Sequence, residues 1–222
     1  MGCLGSAFSA LRYGAVLCAC NMMLAGAAAA ETVTVAALGD SLTQGYGLPP
    51  EDGFVPQMEA WLRDRGADVE MINAGVSGDT TAGGLSRVEW TLTPEVDAMI
   101  VALGGNDFLR GVDPAVSRAN LDGILKAAED KGVKVLLVGM IASSNYGAEF
   151  KQAFDAMYPE LAEAYGVPLY DAFFEGLEVG EDTAGAARRL MQPDGIHPNG
   201  EGVALIVEAM GPSVLALVES VE

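Results

Sequence analysis

The sequence predicts an α/β protein: a three-layer α/β/α sandwich built on a five-stranded parallel sheet. Three observations carry that reading. Short apolar runs alternate with segments of helical spacing along residues 32–221. The runs are near-continuous in apolar character, as strands buried on both faces are. Polar, glycine-rich turns follow them, as at the strand exits of an open sheet.

The elements follow in order. Thr32 to Leu38, rich in β-branched residues, is the first strand, and a loop with Gly45, Gly47, Pro49 and Pro50 leaves it. Phe54 to Arg65 is a helix with Phe54, Met58, Trp61 and Leu62 on one side. Val69 to Ile72 is a short strand. Thr80 to Leu92 is a weaker helix, because Gly83 and Gly84 lower its propensity. Ala98 to Leu103 is an apolar strand. Pro114 to Lys131 is a helix with proline in its first turn and Gly132 just past its end. Val133 to Met140 is a strand, and Ala148 to Tyr165 a helix closed by Gly166. Val167 to Tyr170 is the fifth strand. Glu201 to Val221 is a last helix, kinked or divided at Gly211-Pro212. The outline is flavodoxin-like, and no linker divides it. Gly180 to Arg189 has no clear pattern.

Composition excludes several classes. Twelve Lys+Arg against 31 Asp+Glu give a formal charge of −19, which argues against nucleic acid or an anionic membrane surface as partner. A single histidine excludes zinc sites that need two or three imidazoles. Half the residues are hydrophobic, enough for a sizeable core.

The first 30 residues carry one charge, Arg12, then an uncharged stretch from Tyr13 that ends in Ala28-Ala29-Ala30. A basic start, apolar middle and small-residue end read as a secretory signal. The expected division is therefore a signal peptide at 1–30 and one domain at 31–222, periplasmic or secreted. Cys3, Cys18 and Cys20 all lie in the leader, so the mature chain holds no thiol. Two other readings stay open: an uncleaved anchor, and a lipoprotein at Cys20 through Leu17-Cys18-Ala19-Cys20. No stable membrane insertion is expected after cleavage, and the expected state is a monomer.

The strand exits gather the chemistry. Gly39-Asp40-Ser41-Leu42 follows the first strand and Asn73 to Asp79 the second. Gly104-Gly105-Asn106-Asp107 follows the third, and Ser143 to Gly147 the fourth. Asp194-Gly195-Ile196-His197-Pro198-Asn199 precedes the last helix. One rim thus holds a serine, an amide, backbone donors and the only histidine. Acyl transfer needs those groups. A serine hydroxyl needs a base, and histidine is the best one near neutrality. Asp194, three residues before His197, would hold the imidazole tautomer. The N–H groups of Ser41 and Gly78 and the side-chain amide of Asn106 would stabilise an oxyanion. Each residue alone has a plainer role as cap or turn former. Asp40, Asp79 and Asp107 read as N-caps or loop braces.

These blocks, Gly39-Asp40-Ser41-Leu42, Gly78, Gly104-Gly105-Asn106-Asp107 and Asp194-x-x-His197, resemble those of the GDSL, or SGNH, hydrolase family. The likeness runs in order through nearly the whole mature chain. Asn73-Ala74-x-x-Ser77-Gly78-Asp79-Thr80 and Asn145-Tyr146-Gly147 resemble its bacterial periplasmic thioesterase–lysophospholipase–arylesterase group. The resemblance implies the same sandwich without metal or cofactor. It implies Ser41 as nucleophile, His197 as base, Asp194 as its orienter, and Gly78 and Asn106 as oxyanion donors. It puts Asn145 and Tyr146 in the loop that lines the acyl site, with a small acyl ester or lipid and water as substrates. In that loop Ile141-Ala142-Ser143-Ser144 stands where relatives often carry proline.

Two rival readings account for less of the sequence. A flavodoxin-like FMN or phosphate-binding protein would use Ser41-Leu42-Thr43-Gln44-Gly45, but it leaves Asn106, Asp194 and His197 without a task. A non-catalytic exported binding domain would not need them either. An α/β-hydrolase elbow is disfavoured because Thr43 occupies the final glycine position of G-x-S-x-G.

Overall fold

The computed structural model describes Gly2, residues 32–177 and residues 189–221. Apart from Gly2, the leader expected at 1–30 lies outside the described residues. Residues 178–188, most of the segment without a pattern, lie outside them too.

Five parallel strands form one sheet in the order β2-β1-β3-β4-β5. They are β1 (Val33–Gly39), β2 (Val69–Gly75), β3 (Ala98–Ala102), β4 (Lys134–Val138) and β5 (Leu169–Tyr170). Their composition explains their places. β3 is apolar throughout and fully buried, so it sits in the centre. β2 alternates buried and exposed residues at its start, as an edge strand does. Burying side chains such as Leu38, Ile100 and Leu137 contributes about 1.5–3 kcal/mol each.

Seven helices among the described residues cover the sheet or line its upper edge. They are α1 (Ser41–Gln44), α2 (Phe54–Arg63), α3 (Thr81–Thr91), α4 (Gly105–Leu109), α5 (Pro114–Lys131), α6 (Ala148–Tyr165) and α7 (Gly200–Glu219). α3, α5 and α6 pack side by side, and α2 packs on α7, which gives the three layers. Local signals set their ends. Asp113 accepts the Ala115 N–H at 2.9 Å ahead of Pro114, and Gly132 closes α5 in the left-handed region.

The division expected at Gly211-Pro212 is absent: one helix runs from Gly200 to Glu219. Gly211 is instead a point of close approach, since a Cβ there would lie 2.6 Å from the Trp61 ring. α7 is long and apolar enough to cross a membrane, yet half of its apolar stretch is buried inside the protein. Val203, Ile206, Met210 and Val214 lie in the core. Its apolar character is that of a core helix.

The strand order reverses direction between β1 and β3. In an open parallel sheet that switch point is where ligands bind, beyond the carboxyl ends of the strands.

Candidate active site

Ser41 is the first residue of α1, directly beyond β1. Asp40 caps α1 by accepting the Leu42 N–H at 3.0 Å, and Gly45 ends it with φ 85°. The turn is tight because two glycines allow it. Gly39 pairs with Gly75 across the sheet, and a Cβ on Gly75 would collide with the backbone of Gln44.

His197 and Asp194 arrive from a narrow hairpin before α7. Met191 and Pro198 form an antiparallel bridge. Gln192 N–H donates to the His197 carbonyl and Asn199 N–H to the Leu190 carbonyl, both at 2.8 Å. The Gln192 amide ties the hairpin to the Tyr46 carbonyl at 2.8 Å and to the Pro198 carbonyl at 3.0 Å. Gly195, with φ 68°, makes the turn at its tip.

The three side chains meet in line. His197 Nε2 lies 2.8 Å from Ser41 Oγ, and Nδ1 lies 2.7 Å from Asp194 Oδ2. Asp194 Oδ1 accepts the N–H of Ile196 at 2.9 Å and of His197 at 3.1 Å. Those bonds, the imidazole's first, pull the Asp194 carboxyl down to about 2. The Tyr46 ring packs 4.9 Å from the imidazole.

Three N–H groups join Ser41 on a cleft of about 630 Å³. The backbone N–H groups of Ser41 and Gly78 have no acceptor among the described residues. Gly78 has φ 83°, and its carbonyl accepts from Arg110 at 2.8 Å. Asn106, in α4 beyond β3, donates through Nδ2 to Asp40 Oδ2 at 3.2 Å. Asp40 is buried, and that burial pushes its carboxyl up to about 6 against its hydrogen bonds from Leu42 and Asn106. Much of the rest of the wall is apolar, with Phe108, Met140, Phe154, Phe173 and Phe174, while Ser77 and Glu175 are its polar members. Among the described residues no cluster of three or more His, Cys, Asp or Glu could hold a metal.

The structure thus brings Ser41, Gly78, Asn106 and His197 to one cleft, with Asp194 bonded to the imidazole outside its lining. It does not bring Asn145 and Tyr146 into its lining. Both lie in a single turn, Ser144–Tyr146, and Tyr146 is an exposed side chain. Its hydroxyl donates to the Leu109 carbonyl at 3.3 Å, and its ring meets Phe108 edge-on and tilts over Phe150. The sequence reading missed Tyr46, Gln192 and Arg110, each of which acts through a backbone carbonyl and has no periodic signature.

The model of the GDSL-like lipase/acylhydrolase family matches residues 37–205, from β1 into α7. The chain belongs to this family. Among its relatives, esterase TesA of Pseudomonas aeruginosa is 37% identical over 201 residues, which is 90% of this chain and 96% of that one. Thioesterase 1/protease 1/lysophospholipase L1 of Escherichia coli is 34% identical over 194 residues, 86% of this chain and 87% of that one. The crystal structure of AlinE4, an SGNH-hydrolase family esterase, superposes with a TM-score of 0.68 at 42% identity. That match covers 83% of this chain and 95% of that one. This GDSL-family chain is a carboxylic ester hydrolase, and the FMN and binding-domain alternatives fall with that assignment.

Proposed function

We propose that the protein is an exported serine hydrolase that cleaves acyl esters through an acyl-enzyme. Ser41 is the nucleophile, His197 the general base and Asp194 the residue that holds the imidazole. Ser41 Oγ attacks the acyl carbon while its proton passes to Nε2. Asp194 keeps the Nδ1–H tautomer and offsets the imidazolium charge. The N–H groups of Ser41, Gly78 and Asn106 stabilise the oxyanion. The intermediate collapses, His197 Nε2 returns the proton to the departing alcohol or thiol, and the acyl group stays on Oγ. Water then repeats the sequence and releases the acid.

The observation that carries this reading is the unbroken hydrogen-bonded line Ser41–His197–Asp194 opening on an apolar cleft. The cleft wall suits an acyl chain, so aryl esters, lysophospholipids and acyl thioesters are the substrates to compare. An acyl-chain series of p-nitrophenyl esters and acyl thioesters tests the range. Fluorophosphonate should label the protein, and Ser41→Ala should abolish both labelling and all but about a thousandth of turnover. Labelling that persists in Ser41→Ala removes the assignment.

Export rests on the leader: a signal peptide at 1–30 that is cleaved near Ala30 and leaves a periplasmic or secreted enzyme. Mass spectrometry of the exported protein should give an N-terminus at or near Glu31. A lipid-modified Cys20 at that end establishes the lipoprotein instead.

A further inference from the structure

The cleft that opens at Ser41 runs along the carboxyl edge of the sheet. Ser41 lies beyond β1, Asn106 beyond β3, Met140 beyond β4, and Phe173, Phe174 and Glu175 beyond β5. β5 is the third strand over from β1 in the sheet order. At about 4.8 Å per strand, the far wall stands roughly 14 Å from the strand that carries the nucleophile. The stretch between is apolar, yet a carboxylate, Glu175, stands at its end.

That carboxylate is held in place by its neighbours. The Phe173 N–H donates to the Gly139 carbonyl at 2.9 Å, and the buried Phe173 ring packs 5.5 Å from Phe54. Glu175 opens a single 3-10 turn, Glu175–Leu177, that packs on α7. Gly176 lets the turn come close, since a Cβ there would lie 2.6 Å from the Leu205 carbonyl oxygen. Glu175 itself is exposed.

The cleft gives it no counter-ion, because no lysine or arginine is among the lining residues. The other charged groups of the lining, Asp40 and His197, are engaged at the Ser41 end. Asp40 accepts from Leu42 and Asn106, and His197 bonds Ser41 and Asp194. The formal charge of −19 adds a field of the same sign. A second carboxylate brought to Glu175 is therefore repelled, whereas an ammonium group is attracted. Salt limits the reach: at physiological ionic strength exposed charges farther apart than about 8 Å are largely screened. Glu175 thus acts on the end of a long acyl chain and not on that of a short one.

We propose that Glu175 is a specificity-determining residue that reads the far end of the acyl chain: it refuses chains ending in a carboxylate and accepts those ending in a methyl or an ammonium group. The inference rests on the serine-hydrolase reading above.

Three p-nitrophenyl esters with an eight-carbon acyl chain test it, ending in a carboxylate, a methyl or a trimethylammonium group. The ratio of kcat/KM between the trimethylammonium and carboxylate esters is read within each protein, so the amount of folded enzyme cancels. Glu175→Gln should lower that ratio roughly ten- to a hundredfold, mainly through KM, and Glu175→Lys should favour the carboxylate ester over the trimethylammonium one. On a four-carbon chain, trimethylammonium is compared with its uncharged tert-butyl isostere. There Glu175→Gln should change the ratio by less than about twofold. An eight-carbon ratio unchanged in Glu175→Gln, or a four-carbon ratio that shifts as far as the eight-carbon one, overturns the inference. Should Glu175→Lys fail to fold, Glu175→Gln decides alone. Fluorophosphonate labelling of the unmutated protein separates the two levels. No labelling removes the serine-hydrolase reading, whereas normal labelling with an unchanged ratio removes the role of Glu175 alone.

Discussion

Arg87 Nη2 donates to the carbonyl of Gly39 at 2.8 Å, one residue before Asp40 and two before Ser41. The same guanidinium pairs with Asp79 at 2.6 Å and donates to the Ala74 carbonyl at 2.7 Å. One cation on α3 therefore clamps the carboxyl ends of β1 and β2, where the Ser41 and Gly78 turns begin. Arg87→Ala should destabilise the fold by about 1.5–3 kcal/mol, the range for hydrogen bonds to a charged group. Arg87→Lys should recover less than half of that, because an ammonium lacks the planar fork. Urea denaturation of the three proteins checks this; a fully stable lysine variant would show that charge alone suffices.

The buried Asp40 ties stability to pH. Its carboxyl is raised from 3.8 to about 6, so between those values the folded chain binds more protons than the unfolded chain. Stability from this group therefore falls as pH rises through that window, by about 3 kcal/mol in all. Asp40→Asn removes the effect. The stability of that variant relative to the native protein should rise from pH 4 to pH 7, and a difference constant with pH would contradict it.

Turnover should depend on His197 as the base, with Asp194 ionised beside it. The Asp194 carboxyl, held near 2, stays ionised through the working range and loses its stabilising bonds only as pH falls toward that value. His197 is the chain's one imidazole, so His197→Ala removes the only histidine base. Normal turnover in His197→Ala would leave the mechanism without a base.

Asp107 is fully buried and binds three donors: the Thr81 N–H at 2.8 Å, the Thr81 hydroxyl at 2.6 Å and the Ser117 hydroxyl at 2.8 Å. It joins α3, α4 and α5 beneath Asn106. Asp107→Ala leaves all three unsatisfied and should destabilise by about 3–5 kcal/mol. Ser117→Ala, which deletes one donor and leaves the acid two, should cost about 1 kcal/mol. Thermal unfolding of both variants checks the ratio; similar losses would mean the network does not act through the carboxylate.

The sheet was legible because its central strands are apolar on both faces, a pattern that needs no knowledge of neighbours. Ser41, Asn106, Asp194 and His197 were legible because each follows an apolar run or sits in a turn-rich block. β2 was read as ending at Ile72, whereas it runs on to Gly75: its last residues are polar or small, and they are held in the sheet by pairing with Ala37, Leu38 and Gly39 of β1. α1 and α4, four and five residues long, are too short to show a period. Asp79 was read as a cap or brace. Thr80 is the cap, accepting from Gly83, and Asp79 is the counter-ion of Arg87, a pairing set by packing rather than by spacing.

The bridge between Met191 and Pro198 turns the hairpin that delivers Asp194 and His197 into a ruler. A residue added to extended chain displaces everything after it by about 3.3 Å. That exceeds the 2.8 Å separating the imidazole from Ser41 Oγ. Between those two bridge residues the chain can exchange side chains but cannot change its count. Insertions and deletions that separate this enzyme from its relatives should therefore fall outside Met191 to Pro198, however exposed the tip of that turn is.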